Sequence, residues 1–433
     1  MYGARALVAL PWLLQAGCDR HLVLGRWGDA APSSADVGVI EPSANPQGDA
    51  GPTEAGQPGP GVFACDRRGP LFDLTDGYEG ACGVGSRGFH YAVCSCSDVV
   101  AAMPVDVDGF DSRQGVYVPG QASGALASVG ALYPHALRVG GSLIVAGSAG
   151  IPLNADLVVG GNLLDQGQLQ GQYAVSVAGQ ARIGGDVRLS HFAVSGSATV
   201  APSAALSVSD GSPDAARDAV QIAAPCRCDA PFDVAAVIDA ASRDNDNALL
   251  ALDGESALKA FAAALELTLP CGRYYVGEIY GARPITLHVQ GRVALYVQNG
   301  IVLENTGALT IELADGAELD MFVRNGISAG GPVQIGAPTA ATHARLHFGA
   351  TDSLFFLDKT MLAATLYAPR SELVSHGAFE LYGAALVRRW SADGTLQLHY
   401  DRALSADACP AASCRSDTQC APTLRCDHGS CLP

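Results

Sequence analysis

The chain reads as an all-β protein, a β-solenoid (right-handed and β-helix-like) with a short helical insertion and a small disulfide-rich C-terminal tail. Three observations carry that expectation. Short apolar-alternating units recur at near-constant spacing. Glycine is abundant, at 51 of 433 residues, while aromatics make up 6%. Thirteen cysteines are present, far more than a reduced chain carries outside a metal site.

The N-terminus comes first. Arg5 precedes the apolar run Ala6–Leu14, and Gln15-Ala16-Gly17-Cys18 follows. A basic start, a short apolar stretch and small residues before a cut site describe a secretory signal over residues 1–17. The run falls short of the roughly 20 residues that span a bilayer. Small-small-Cys resembles the bacterial lipobox, in which the Cys after the cut carries the lipid; Gln15 stands where that motif usually has Leu. Cys18 is therefore the expected lipidation site. With Cys18 set aside, twelve of the thirteen cysteines remain, an even number suited to disulfides. From Asp29 to Gly61 the sequence is rich in Pro, Gly, Ala, Ser and Asp and holds almost no large apolar side chain. Such a stretch cannot build a core and suits a tether, so residues 18–61 read as lipidated Cys plus tether.

Residues 62–136 hold Cys65, Cys82, Cys94 and Cys96. Repeats begin near Leu137. Leu137–Leu143, Leu157–Leu163, Val177–Ile183 and Val194–Val200 alternate apolar residues around a Gly-containing break, with starts 17 to 20 residues apart. A fixed period near 20 with short strands is the mark of coils that stack one on the next. Residues 137–229 form this first block. Over 230–270 a helical insertion is expected, because Phe232, Val234, Ala235, Val237, Ile238 and Ala241 follow helical spacing. A second block covers 271–404, where Leu295–Ile301 recurs as Met321–Ile327, displaced by 26 residues. Asn299-Gly300 and Asn325-Gly326 mark its turns, since both residue types tolerate positive φ. The tail, 405–433, carries Cys409, Cys414, Cys420, Cys426 and Cys431 and has hardly any apolar content. Only bridges could hold such a piece in shape. Five is odd, so at least one of these cysteines should pair with the body or remain free, and pairing would clamp the tail to the solenoid.

Leu366-Tyr367-Ala368-Pro369, Leu381–Leu386 and Leu398-His399-Tyr400-Asp401, with the Gly-containing turns upstream, resemble the uncharacterised solenoid domain of bacterial surface and pilus-assembly-associated proteins. The resemblance covers about 271–404. A weaker echo over 137–200 is similar to bactofilin-type polymer-forming repeats, and the tail resembles the Cys-rich tails of secreted bacterial proteins. The resemblance implies a fold and carries no activity with it. That domain's usual setting includes a pilin-like N-terminal helix. Here a lipobox and tether stand in its place, which favours surface display over pilus assembly.

Candidate chemistry is sparse. A net charge of −17 argues against nucleic acid as a partner. Cys94-x-Cys96 and Cys226-x-Cys228 could offer four thiolates to zinc or, with residues two apart on one strand face, form two side-by-side disulfides; export favours disulfides. The remaining disulfide candidates are Cys65, Cys82, Cys271 and the five tail cysteines. Asp106, Asp108 and Asp111, and separately Asp244 to Asn247, carry calcium-type oxygen ligands without the full twelve-residue loop. Glu318 and Asp320 share a face of an expected strand and could form a carboxylate pair; a solvated strand face explains them as well. The histidines, His399 among them, show no metal spacing. No cofactor motif and no metal site are expected.

The expected function is that of a non-enzymatic structural or adhesive cell-envelope lipoprotein displaying a rigid solenoid. The alternative is a carbohydrate-active lyase or hydrolase, or a carbohydrate-binding module, on a β-helix. Expected partners are the membrane through the lipid, an envelope polysaccharide or protein, and further copies of the chain. The outer membrane or cell surface is the expected location, although Asp19 behind the lipid Cys favours inner-membrane retention in some bacteria.

Overall fold

The computed structural model describes Cys65 and residues 89–406 apart from 212, 227 and 229–231, with the backbone of 425–427 and 430–432. The expected signal and tether, Cys18, Cys82, Cys409, Cys414 and Cys420 lie outside the described residues. Cys426 and Cys431 face each other as Cα partners in a two-stranded antiparallel ladder.

Among the described residues, thirty-three strands join in one continuous, parallel solenoid. Most coils contribute three short strands, one to each of three faces, while Thr360–Ser375 and Phe379–Ala392 each run through all three as one strand. On face 1, Ile279–Gly281 stacks on Ile301–Leu303, then on Ile327–Ala329. On face 2, Pro284–Val289 stacks on Ala308–Leu313, and on face 3, Arg292–Val297 stacks on Glu318–Val323. The 26-residue displacement read from the sequence is this last register, Leu295 opposite Met321. Alternation decides what lies inside. Leu143 and Val145 are buried while Ile144 between them is half-buried, and Leu157–Val159 and Ala181–Ile183 repeat the pattern.

The order of the coils in space differs from their order in the chain. Strands begin at Val93, ahead of the expected first block, and coil outward to Ala215–Arg217. The chain then returns along the outside and re-enters at Lys259–Ala260, at the far end of the stack. From there it coils back until Leu396–Asp401 meets Val105–Phe110 strand to strand. At this seam one coil is shared. Trp390–Ala392 supplies its face 1, Leu396–Asp401 its face 2, and Val93–Ser95, from the other end of the chain, its face 3. The Ala385 amide donates to the Ala92 carbonyl and the Cys96 amide to that of Val387, so the ladder crosses the seam unbroken.

Glycines make the corners. The amide of Gly141 donates to the carbonyl of Gly124, Gly161 to Gly141, Gly179 to Gly161 and Gly196 to Gly179. A Cβ on Gly161 would lie 2.7 Å from backbone atoms of Gly141 and Ser142. The Asn-Gly corners work the same way and correct the expectation of positive φ. Neither Gly300 nor Gly326 has positive φ, and Ala251 is the one non-glycine with it among the described residues. Glycine is needed there because a Cβ on Gly300 would lie 2.9 Å from the Gly326 carbonyl oxygen. A corner of a parallel coil, unlike a hairpin, is crowded by the coil stacked on it.

The return segment is a strap across face 3. Its helix, Val234–Ala241, is shorter than the expected insertion, and residues from Lys259 onward already belong to the solenoid. Asp233 caps it, accepting the Ala236 amide at 3.0 Å. Val234, Val237, Ile238 and Ala241 fall on one side at helical spacing and pack on Ala294, Tyr296 and Phe322. Each fully buried aliphatic here contributes ~1.5–3 kcal/mol. No helix among the described residues is long and apolar enough to cross a membrane.

Candidate functional site

Three groups of residues stand out, and the strap organises the first two. Cys94, on the strand Val93–Ser95, and Cys96, just past its end, point outward from face 3 together. Cys226 and Cys228 on the strap meet them in order, giving disulfides Cys94–Cys226 and Cys96–Cys228 with Cα separations of 6.0 and 5.7 Å. The sulfurs pair two and two, which leaves no thiolate for zinc. A third disulfide, Cys65–Cys271, ties the segment ahead of the solenoid to the coil end where the second block begins. The strap is therefore stapled to the seam at the one coil built from both ends of the chain.

Farther along face 3 the strap covers an ionic and aromatic ladder. Glu318 and Asp320 point outward from one strand, as their spacing predicts, and Arg345 lies on the next. The Arg345 guanidinium donates to Asp320 through Nε at 2.7 Å and Nη2 at 3.0 Å, and to Glu318 through Nη2 at 2.6 Å. Its Nη1 donates to the Thr342 carbonyl at 3.1 Å. Glu318 is 6% exposed and Asp320 0%, so neither is open to a substrate. Burial pushes the Asp320 carboxyl up, but the neighbouring His347, 3.9 Å away, and the hydrogen-bonded charge of Arg345 outweigh burial and hold it below the usual carboxylate range. Beside this ion cluster, Tyr296, Phe322 and His347 stack on successive coils, with centroids 5.2 and 4.6 Å apart. Tyr367 extends the column and its hydroxyl oxygen accepts the Phe232 amide of the strap at 2.7 Å.

Sequence reasoning missed the third group. On face 2 the seam places Asp108, His399 and Tyr382 side by side on adjacent strands. His399 Nδ1 is 2.6 Å from Asp108 Oδ1, and Nε2 is 3.7 Å from Glu380 Oε1. Tyr117 donates to Asp108 and Tyr382 to Glu380, each at 2.6 Å. The two phenol rings flank the imidazole at 4.2 and 4.6 Å. Burial, then the carboxylate each one serves, raises both tyrosine pKa values, so the hydroxyls stay protonated donors. His399 is 7% exposed, so this arrangement clamps two chain ends rather than presenting a base to solvent.

The calcium candidates do not converge. Asp106 lies 3.9 Å from Arg138, Asp108 serves His399, and Asp111 binds Arg113. Asp244 forms a two-pronged pair with Arg273, and Asp246 accepts the Arg273 amide. Asn247 exchanges two hydrogen bonds with the Tyr275 backbone, as a neighbouring strand would. These oxygens fasten the strap to the outermost strand of face 3. No group of three or more His, Cys, Asp or Glu among the described residues is placed to hold a metal ion. At the corner between faces 2 and 3, a groove of about 290 Å³ is lined by Gly140, Gly141, Gly160 and Gly161, with Tyr400 and Arg402 at its edge. It is shallow and open, unlike the enclosed pockets that bury a small ligand.

Fold and site together define a strapped, three-faced β-solenoid closed by a seam. A domain of unknown function, DUF7305, matches residues 218–406. The match takes in the strap, its helix and the second block, and leaves the first block outside. No curated protein and no solved structure matches the chain.

Proposed function

We propose that this chain is a non-enzymatic structural or adhesive protein of the bacterial cell envelope, lipid-anchored at Cys18 and displaying its solenoid beyond the 29–61 linker at the outer membrane or cell surface. The supporting observation is the paired disulfide staple at the seam. Cys94–Cys226 and Cys96–Cys228 close the solenoid only in an oxidising compartment, and export is what the N-terminal signal supplies. Nothing around Glu318 and Asp320 favours the polysaccharide-cleaving alternative, since Arg345 and the strap keep a glycosidic oxygen from either carboxylate. Membrane, envelope polysaccharide or protein, and like chains remain the partners of this reading.

Its test is intact mass and thiol mapping of the protein taken from native membranes without reductant. The expected result is a diacylated or triacylated chain starting at Cys18, with the other twelve of its thirteen cysteines oxidised. A chain starting at Met1 with free thiols overturns it.

A further inference from the structure

The three faces differ in what they present outward. Face 3 lies under the strap. Face 2 carries ionisable side chains, including the Glu266–His288–Glu312 column and the Asp106–Arg138 pair. Face 1 is different. Its strands are mostly three residues long, so each coil offers one outward side chain; these align in register from Tyr280 to Tyr133 across the seam, and Pro152 and Gln170 follow on the next two coils. None of these ten carries a formal charge; Lys259 and Arg188 continue the strip beyond its two ends, ion-paired with Glu278 and Asp186. Exposed apolar side chains belong to this strip, Val302 at 40% and Tyr133 at 36%, with Leu357 and Met103 at its border. Charges at the margin are already paired, as in His376–Asp393 and Arg389–Glu372.

We infer that face 1 is a self-association surface on which a second copy of this chain packs antiparallel about a two-fold axis. The axis passes between Val374 and Ser391, the midpoint of the strip. Such an axis sets Phe355 of one copy opposite Val100 of the other. Tyr133 then faces Ser328, and Val302 faces Pro152. Tyr133 against Ser328 and Val374 against Ser391 set large on small, and Phe355 against Val100 sets apolar on apolar, the self-complementarity that an isologous interface requires. Charge favours the same occupant. Two chains of net charge −17 repel everywhere that carboxylates face each other, and this strip brings none together at its centre. Ten strands at ~4.8 Å spacing give a length of about 43 Å, and short strands with their corners a width of about 13 Å. The buried area, roughly 1,100 Å² over both copies, just clears the ~1,000 Å² of a specific interface, so the dimer is a weak one. The inference deepens the structural reading above by naming its partner. It is tested without reference to the anchor, so either can fail alone.

The experiment is sedimentation velocity on the full oxidised chain in detergent at rising protein concentration. Wild type is expected to shift from one to two chains per particle. Val100→Lys and Phe355→Glu should each remain single at the same concentrations, with unchanged near-UV circular dichroism and thermal midpoint. An equal mixture of the two variants should recover the two-chain particle, because the axis sets the new ammonium of one variant against the new carboxylate of the other. A wild type that stays single, or variants that pair as well as wild type, overturns the inference. A mixture that stays single overturns the antiparallel register. If wild type stays single while Phe355→Glu abolishes binding to extracted envelope polysaccharide, face 1 belongs to a glycan and the dimer is wrong.

Discussion

The two blocks of the solenoid share one topology and are stabilised in different ways. In the first block, coils advance by 17 to 20 residues and outward positions meet solvent, as in Leu157–Val159, where Val158 is 40% exposed. Most of its strands are three residues long and its corners are glycine on glycine. In the second block, coils on face 3 lengthen to as many as 26 residues, and strands Arg292–Val297, Glu318–Val323 and Ala344–Phe348 are buried on both sides. The added length supplies aromatic and ionic side chains, and the strap covers them. A bare coil is limited to what tight corners allow. A covered coil gains an outer core but depends on its cover staying in place.

The largest test of that dependence is to release the cover. A loop closed by a disulfide across 132 residues contributes about 5 kcal/mol in the chain-entropy account. Cys226→Ser with Cys228→Ser should lose about that much in denaturant unfolding without reductant. The loss should be lopsided, with hydrogen exchange rising along 292–297, 318–323 and 344–348 while 143–183 stays protected. Cys228→Ser alone should cost far less, because with Cys94–Cys226 in place the second bridge closes only a small ring, two residues along each segment. Equal exchange in both blocks would mean that the strap is passive.

Next in size is the ion cluster beneath the strap. Arg345→Met strands two buried carboxylates, and uncompensated buried charge costs about 3–5 kcal/mol. The expected readout is a lower denaturation midpoint at neutral pH, partly restored when Asp320→Asn is added. A variant as stable as wild type would show that the carboxylates find other partners or water. Smaller still are the corners. Gly161→Ala places its Cβ 2.7 Å from backbone atoms of the neighbouring coil, and overpacking of that kind costs about 1–3 kcal/mol. Gly300→Ala meets a single oxygen at 2.9 Å and should cost less. Reversal of that order in thermal unfolding would mean that first-block corners yield more easily than those of the second block.

Much of this was legible in the sequence, and what was not shares one cause. Repeats, corner glycines and the shared face of Cys94 and Cys96 depend on neighbours a few residues or one coil apart, and period alone exposes them. Val234, Val237 and Ile238 announced a helix by spacing, though only tertiary contact shows that it ends at Ala241. The seam joins residues 291 positions apart, Asp108 to His399, and no period reaches that far. A signal does exist in hindsight. Val107-Asp108-Gly109, Leu381-Tyr382-Gly383 and Leu398-His399-Tyr400 each set a polar or aromatic side chain after a buried aliphatic at the same coil position. Aligning coils across the whole chain, rather than within each block, would have placed them together. Glu318 and Asp320 were correctly put on one face, but Arg345 and the strap that bury them belong to other coils.

The finest contrast between the blocks is inside them. Asp165 points into the first block at a position where the coils above and below place Val145 and Ile183. Its Oδ1 accepts the Gly167 amide at 3.0 Å and its Oδ2 has no hydrogen-bond partner. Burial raises its pKa to about 8, and the Gly167 amide only partly opposes that. The folded state therefore holds a proton that the unfolded chain, with an ordinary carboxylate near 3.8, releases. Between those two values the folded state binds more protons, so stability falls as pH rises, by up to about 1.4 kcal/mol per pH unit for this one group. Below pH 4 and above pH 8 its contribution is flat. Asp165→Asn keeps the Gly167 hydrogen bond and removes the proton, so its stability should lose that slope and exceed wild type at pH 8. Paired denaturant titrations from pH 4 to 9 read this directly. Parallel curves for the two proteins would mean that the Asp165 carboxylate is ionised in the folded chain, and that the first block admits water or a cation the second does not need.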